Sequence, residues 1–466
     1  MHPWLRPAWA VVASVTLALP LVAQRNVPAT YAITNARIVP VASGPIPSGT
    51  VVIRDGLITA VGATVAVPAD AQVVDGSGLT VYPGFIDAYG TLGLPAPAPG
   101  GGGGGGAAGR VAAATNARPA GAPNSTNVVG MQPEVAVTDV LDPDAASFTA
   151  AHAAGLTAAF TATGTGVFRG SAALINLAGT DVSAMIVRPG VAQSVGFSRG
   201  GGGFGGGGYP GSLFAVFAAL RQELLDAQRY HELKALYDRN PRGRNRPAYD
   251  PSLEALQPVL TKQQPVVMFA NSEREIIRAL DLAKEFDLRV MIAGGNEAYR
   301  VADRLKAENV PVLLSVNFPR RAAAPAGGAG GGRGGAAASP DEEPELMRVL
   351  RERVEAPKSA GRLATAGVRF AFQSASNFTE YLANVRRASE AGLPADQALR
   401  AMTIAPAELL GVSDRLGTIE AGKIANLTIT RGDLFEKGTR VTELFVDGRP
   451  ITIPAPAAGA QNARTP

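Results

Sequence analysis

The chain has no cysteine among its 466 residues. Disulfides are therefore excluded, as is a lipid anchor carried on an N-terminal cysteine, and stability has to come from a packed core. Histidine is nearly as scarce, with three in the whole sequence, which is sparse for an enzyme that holds metal with imidazoles. No strong charge imbalance exists either. Lys and Arg number 43 against 39 acids, a net +4, too small an excess over this length to point to nucleic acid or a membrane surface as partner.

What is present begins with an N-terminal segment of export type. Arg6 supplies positive charge, and residues 8–23 are largely apolar, interrupted by Pro20. The run is shorter than the ~20 residues a membrane span needs. The reading is a signal peptide over 1–23, cleaved after Ala23, which predicts a periplasmic or secreted protein with no stable span after cleavage; an uncleaved anchor is the competing reading.

Apolar residues make up 46% of the chain, enough for a barrel of roughly 250 residues plus a smaller domain. Both ends read as short strands. Asp55-Gly56 and Asp447-Gly448 sit between apolar runs, a hairpin signal because both turn residues must take positive φ. A strand-rich 31–80 and 415–452 suggest one composite β-sandwich domain, since either end alone would bury little core. Between them, 81–414 alternates strands and helices. Strands are expected at 79–86, 157–162, 173–177, 265–270, 289–293, 310–316 and 369–373, with 184–187 as a further candidate. Ser272 followed by Glu275 is a capping box, and Ser339-Pro340 marks another helix start. Seven or eight such repeats predict an α/β fold, a TIM-like (β/α)8 barrel. Glycine-rich inserts near 100–109, 200–211 and 327–335 follow strands and are expected over the barrel mouth; the Ala/Pro-rich 454–466 reads as a disordered tail.

Pro83-Gly84-Phe85-Ile86-Asp87 and then Gly93 resemble the first barrel strand of the amidohydrolase superfamily, P-G-[LF]-I-D-x-H-x-H-x-G. The segments 398–411 and 416–427 are similar to that family's C-terminal signatures, with Asn426 where an aspartate is usual. The likeness runs over about 31–452, nearest to imidazolonepropionase-like, metal-dependent hydrolases. It implies the barrel with its composite domain and a hydrolase acting on C–N bonds.

The same likeness withholds the family's metal ligands. Tyr89 and Thr91 stand at the two first-strand histidine positions, Phe269 at the strand-end histidine of 266–272, Ala293-Gly294 where another histidine falls, and Ala375 at the metal-binding aspartate. Neither phenylalanine nor alanine can coordinate a metal. His2 lies in the export segment. His152 is expected to complement a helix end, and His231 to pack a helix face against the barrel. The sequence therefore predicts no resident cofactor and an exported pseudoenzyme, acting as a binding protein or as the partner of an active paralogue in a homo- or hetero-oligomer. Asp87, Tyr89, Thr91, Asn271, Gln373 and Ser374 would line the mouth and meet a small polar ligand. The alternative is an active hydrolase of non-peptide or dipeptide-like amides working through an unconventional site, with zinc only in that case.

Overall fold

The computed structural model describes residues 30–95, 130–143, 146–164, 166–179, 181–197, 212–318 and 345–453. The N-terminal segment read as a signal peptide, all three glycine-rich inserts, Ser339-Pro340 and the tail lie outside these.

Strands β1 (Tyr31–Ile38), β2 (Ile46–Arg54), β3 (Leu57–Gly62), β4 (Gln72–Asp75) and β5 (Leu79–Pro83) form the N-terminal part of one sheet. The barrel strands follow: β6 (Phe85–Gly90), β7 (Leu156–Thr161), β8 (Phe168–Asn176), β9 (Ile186–Gly196), β10 (Val266–Ala270), β11 (Val290–Gly294), β12 (Val312–Ser315) and β13 (Phe370–Gln373). The chain then returns to the first sheet with β14 (Leu427–Arg431), β15 (Val441–Val446) and β16 (Arg449–Thr452).

The composite sheet runs β16-β15-β14-β5-β1-β2-β3, with β4 also paired to β1. It is a single sheet that curls on itself, so that the ring of Phe445 on β15 meets Tyr31 on β1 edge-on at 5.4 Å. Its core holds Ile33, Ile53, Ile58, Val81, Leu427 and Phe445. Both Asp-Gly turns are present, with φ of +54° and +78° at Asp55 and Gly56, and +52° and +72° at Asp447 and Gly448. The two turns abut: a Cβ on Gly448 would lie 2.7 Å from Gly56 Cα. Glycine is needed there for space as well as for φ.

The run 79–86 is two strands rather than one. Gly84 hands the chain from β5 in the composite sheet to β6 in the barrel. A Cβ at Gly84 would overlap the Thr157 side chain, and the Gly84 N–H donates to Asn426 O at 2.7 Å. Asn426 reaches the barrel too: its Nδ2 donates to Asn176 at 2.7 Å, and its Oδ1 accepts from Asp447 N at 2.8 Å. The amide thus joins the two units by donating on one side and accepting on the other, which the carboxylate usual at this place could not do.

The barrel sheet has the order β13-β12-β11-β10-β9-β8-β7-β6. Seven strands are parallel, whereas β8 is antiparallel to both neighbours. The chain length dictates this: the short loop from Thr161 to Phe168 cannot hold the dozen or more residues a parallel crossover takes. Alternate residues divide the core. Ala158, Phe160, Leu174, Val267, Met291, Leu313 and Ala371 face inward, while Leu156, Val266, Met268, Ile292, Phe370 and Phe372 face the helices. Ile404, Ala407, Leu410 and Leu416 join the inward cluster and close the end opposite the mouth. Gly417, at φ +96°, packs so near that an added Cβ would lie 2.9 Å from Ala407 Cβ.

The strands that precede the inserts in sequence end at the mouth: β6 at Gly90, β9 at Gly196 and β12 at Ser315. The strand expected at 184–187 in fact starts at Ile186 and runs to Gly196, so the second insert follows its end directly.

Candidate functional site

The strand ends at the mouth carry an aromatic and guanidinium cluster. Tyr89 on β6 is buried. Its hydroxyl lies 2.9 Å from Ser194 Oγ on β9 and accepts from Arg169 Nη1 at 3.3 Å. Its ring stacks on Phe269 of β10, centroids 6.1 Å apart, and meets Phe160 of β7 edge-on at 5.9 Å. The Arg169 guanidinium sits 5.5 Å above the Phe269 ring, a cation–π arrangement, and its Nε donates to Gly166 O at 3.2 Å.

Arg169 reaches this place because β8 runs backwards. Its first residues lie at the mouth, beside the last residues of β9, and the pairing shifts register between Phe168 and Gly170. A shift of this kind re-aims a side chain. Gly196 makes the room, since a Cβ there would overlap the guanidinium. Sequence reasoning passed over Arg169 and Ser194. The signal for Arg169 was the short gap before β8, which forces the hairpin and brings the start of that strand to the mouth.

The other expected mouth residues are placed as follows. Thr91, just past β6, is half-buried, and its carbonyl accepts from Leu94 N at 3.3 Å. Asn271 follows β10, its Oδ1 tight against Gly294 and its N–H donating to Glu275 at 2.9 Å. Glu275 and Ser272 form the expected capping box, and Glu297 accepts from Glu273 N at 2.8 Å, so these acids serve helix starts. Gln373 ends β13, two residues beyond inward-facing Ala371, and is 1% exposed. Its Nε2 is buried without a hydrogen-bond partner. Ala375 is exposed at φ +48°, in the turn leaving β13.

Asp87 and Ser374 have a different place. Asp87 is out of phase with the inward Ile86 and Ala88 and is fully buried. Its carboxylate accepts the Ser374 backbone N–H at 2.8 Å and the Ser374 hydroxyl. β6 and β13 are the two ends of the barrel sheet, so this carboxylate bridges the seam that no ladder closes. Burial pushes the Asp87 carboxyl up to about 6, against the lowering effect of its bonds to Ser374. Tyr381, packed in the helix layer, is also buried; desolvation, with the Asp87 charge second, drives its phenol well above its ordinary value.

The two described histidines stand apart from the mouth, and His2 lies outside the described residues. His152 Nε2 lies 2.8 Å from Leu177 O, and burial lowers its pKa, a bracing role near the helix end. His231 does not pack against the barrel: it is exposed, with Nδ1 2.8 Å from Gln257 Oε1. Among the described residues no three His, Asp or Glu side chains gather as a metal site would require. At the family's ligand positions stand a phenol already bonded to a cation, a phenylalanine beneath that cation, and an exposed alanine. This donor set does not fit a divalent metal.

A barrel carrying a sheet built from both chain ends defines an architecture, and the comparisons show which known proteins share it. Residues 347–451 match the model described as Amidohydrolase family. An amidohydrolase from Thermotoga maritima MSB8 is 22% identical with TM-score 0.70, covering 90% of this chain and 99% of that one. A prolidase solved with N-methylphosphonate-L-proline is 16% identical, TM-score 0.51, over 91% and 99%. A Xaa-Pro dipeptidase with methionine in its active site is 15% identical, TM-score 0.51, over 91% and 100%. The fold of this chain is that of these solved structures, and its match to the amidohydrolase family model is confined to residues 347–451.

Proposed function

We propose that this is an exported amidohydrolase-fold protein that has given up metal-dependent hydrolysis and works as a binding protein, alone or as the inactive partner of an active paralogue. The observation that carries the reading is the bond from Arg169 to the Tyr89 hydroxyl, with Phe269 stacked below. A fixed positive charge packs against the residues at the family's ligand positions, and it repels the cation those positions would otherwise hold. The hydrolase alternative finds little support in Ser374. Its hydroxyl donates to Asp87 and accepts from Ser376 N at 3.2 Å, so it is spent on the seam.

Metal analysis of the purified mature protein, with hydrolysis assays on amide and dipeptide substrates, tests the reading. The expected result is no stoichiometric transition metal and no chelator-sensitive hydrolysis. One bound metal per chain together with such hydrolysis overturns it.

A further inference from the structure

We propose that the exposed arginine loop at residues 239–249 docks the protein on an anionic phospholipid surface, with Tyr249 seated among the headgroups. This goes beyond the binding-protein reading, since it concerns where the molecule is held. It takes from that reading only the export.

The modest charge of the whole chain hides where the charge lies. Residues 239–249 hold Arg239, Arg242, Arg244 and Arg246 and no acid. These four guanidinium groups equal the whole excess of +4, so the rest of the chain is neutral in sum. All four side chains are exposed. Among the described residues none of them has a carboxylate partner; Arg239 Nε donates to Ala235 O at 3.1 Å, within its own helix. The neighbouring acids are engaged elsewhere. Asp250 caps the next helix, its Oδ1 accepting from Ser252 N and Leu253 N at 2.9 and 3.1 Å. Glu254 pairs with Lys234 at 2.7 Å, and Asp238 supports the same Lys234 charge from four residues on.

The loop has a set shape. Asn240 Oδ1 accepts from Arg242 N at 3.2 Å, and Pro241 O accepts from Arg244 N at 3.3 Å. Gly243, at φ +70°, takes the third place of that turn, where a type II turn needs positive φ. The cations therefore stand on a turn and an irregular segment, not on a helix or a sheet. Readers of nucleic acid place a helix or strand in a groove, or stack bases on several aromatic rings. Here a single aromatic accompanies the arginines, Tyr249, which is 72% exposed. Tyrosine with arginine suits a membrane interface, the ring at headgroup level and the guanidinium on phosphate.

The position agrees. β9 ends at the mouth, and its parallel neighbour β10 begins at the other end, so the chain between them returns there. The helix Leu213–Arg239 has 27 residues, about 40 Å, long enough to carry the loop past the barrel. Arg289 and Arg369, just before β11 and β13, stand at that same end and are exposed. Among the described residues they donate to neutral acceptors, Lys262 O at 3.0 Å and Asn309 Oδ1 at 3.3 Å. Acids nearby have partners: Asp287 with Lys262 at 2.5 Å and Glu308 with Arg304 at 2.8 Å, while Glu408 lies 3.9 Å from Arg400. That end of the barrel thus adds to the field of the loop, and docking by it leaves the mouth open to solvent.

The test is co-sedimentation of the full-length protein with vesicles of phosphatidylcholine, and with vesicles of an equimolar phosphatidylcholine–phosphatidylglycerol mixture. The protein is expected on the anionic vesicles, less so as salt is raised, and not on the neutral ones. The triple variant Arg242→Gln, Arg244→Gln, Arg246→Gln should lose about a hundredfold in partition, ~fivefold for each arginine. Its melting temperature should not change, because none of the three side chains has a partner among the described residues. The corresponding triple lysine variant should bind within a few-fold of the parent, and Tyr249→Ser several-fold more weakly. Unchanged binding by the glutamine variant, as attachment through the N-terminal segment gives, overturns the proposal. So does equal binding to neutral vesicles, or binding of a single-stranded oligonucleotide in place of the anionic vesicles. None of these readouts depends on metal or hydrolysis, so their failure leaves the proposed function standing.

Discussion

At the scale of single residues, Asp87 shows how position in the sheet decides a role. A carboxylate two residues before a family ligand position reads naturally as part of a site, but strand phase turns it to the seam, where it accepts two bonds from Ser374. Burial lifts its pKa from 3.8 to about 6. The folded chain thus keeps this proton where the unfolded chain has released it. The resulting stability is fully present below about pH 4 and is lost as pH rises to about 6. Asp87→Asn should flatten that part of the pH–stability curve, as read by chemical denaturation between pH 4 and 7; an unchanged slope would assign the dependence to other groups. Tyr89, Thr91, Phe269 and Ala375 draw attention in the sequence because each stands inside a recognisable pattern. Arg169 belongs to no pattern. Its place depends on a strand reversal and a register shift, and these are properties of the chain path.

At the scale of elements, local chemistry was the most legible layer. The Asp-Gly turns and the Ser272 capping box are stated by residues a few positions apart, and the structure has them. Ser272→Ala should lower stability by about 1 kcal/mol through loss of the N-cap bond, measured as a shift in denaturant midpoint with unchanged slope. Two features were hidden. The run 79–86 reads as one strand, although Pro83-Gly84 within it is a break signal, and only the structure shows that an added side chain at Gly84 would overlap Thr157, far along the chain. The direction of β8 cannot be read from its own residues, since a buried strand looks alike in either sense. Only the length of the preceding loop reveals it.

At the scale of the whole molecule, the barrel and the sheet at the chain ends were foreseeable because several motifs occur in the right order over most of the sequence. The strand order within the composite sheet was not, since pairing partners of strands so distant leave no local trace. β5 lies between β1 and β14, and the C-terminal strands supply Leu427, Ile429 and Phe445 to the core of the N-terminal ones. A chain cut after Asn426 should therefore lose cooperative unfolding and become protease-sensitive within 31–83 as well as at the new end. Limited proteolysis followed by mass mapping of the fragments would show this, and a protected 31–83 would refute it.

The placement of β5 also sets a timetable for biosynthesis. Its partner β14 is made only after roughly 340 more residues have left the ribosome, which at 5–20 residues per second is about 20–70 s. Throughout that interval one edge of β5 has unpaired backbone groups, and the apolar face of Ile33, Ile53 and Val81 lacks its cover. The nascent N-terminal strands are thus a natural client for a holding chaperone, and the first part of the chain to be made is among the last to be finished.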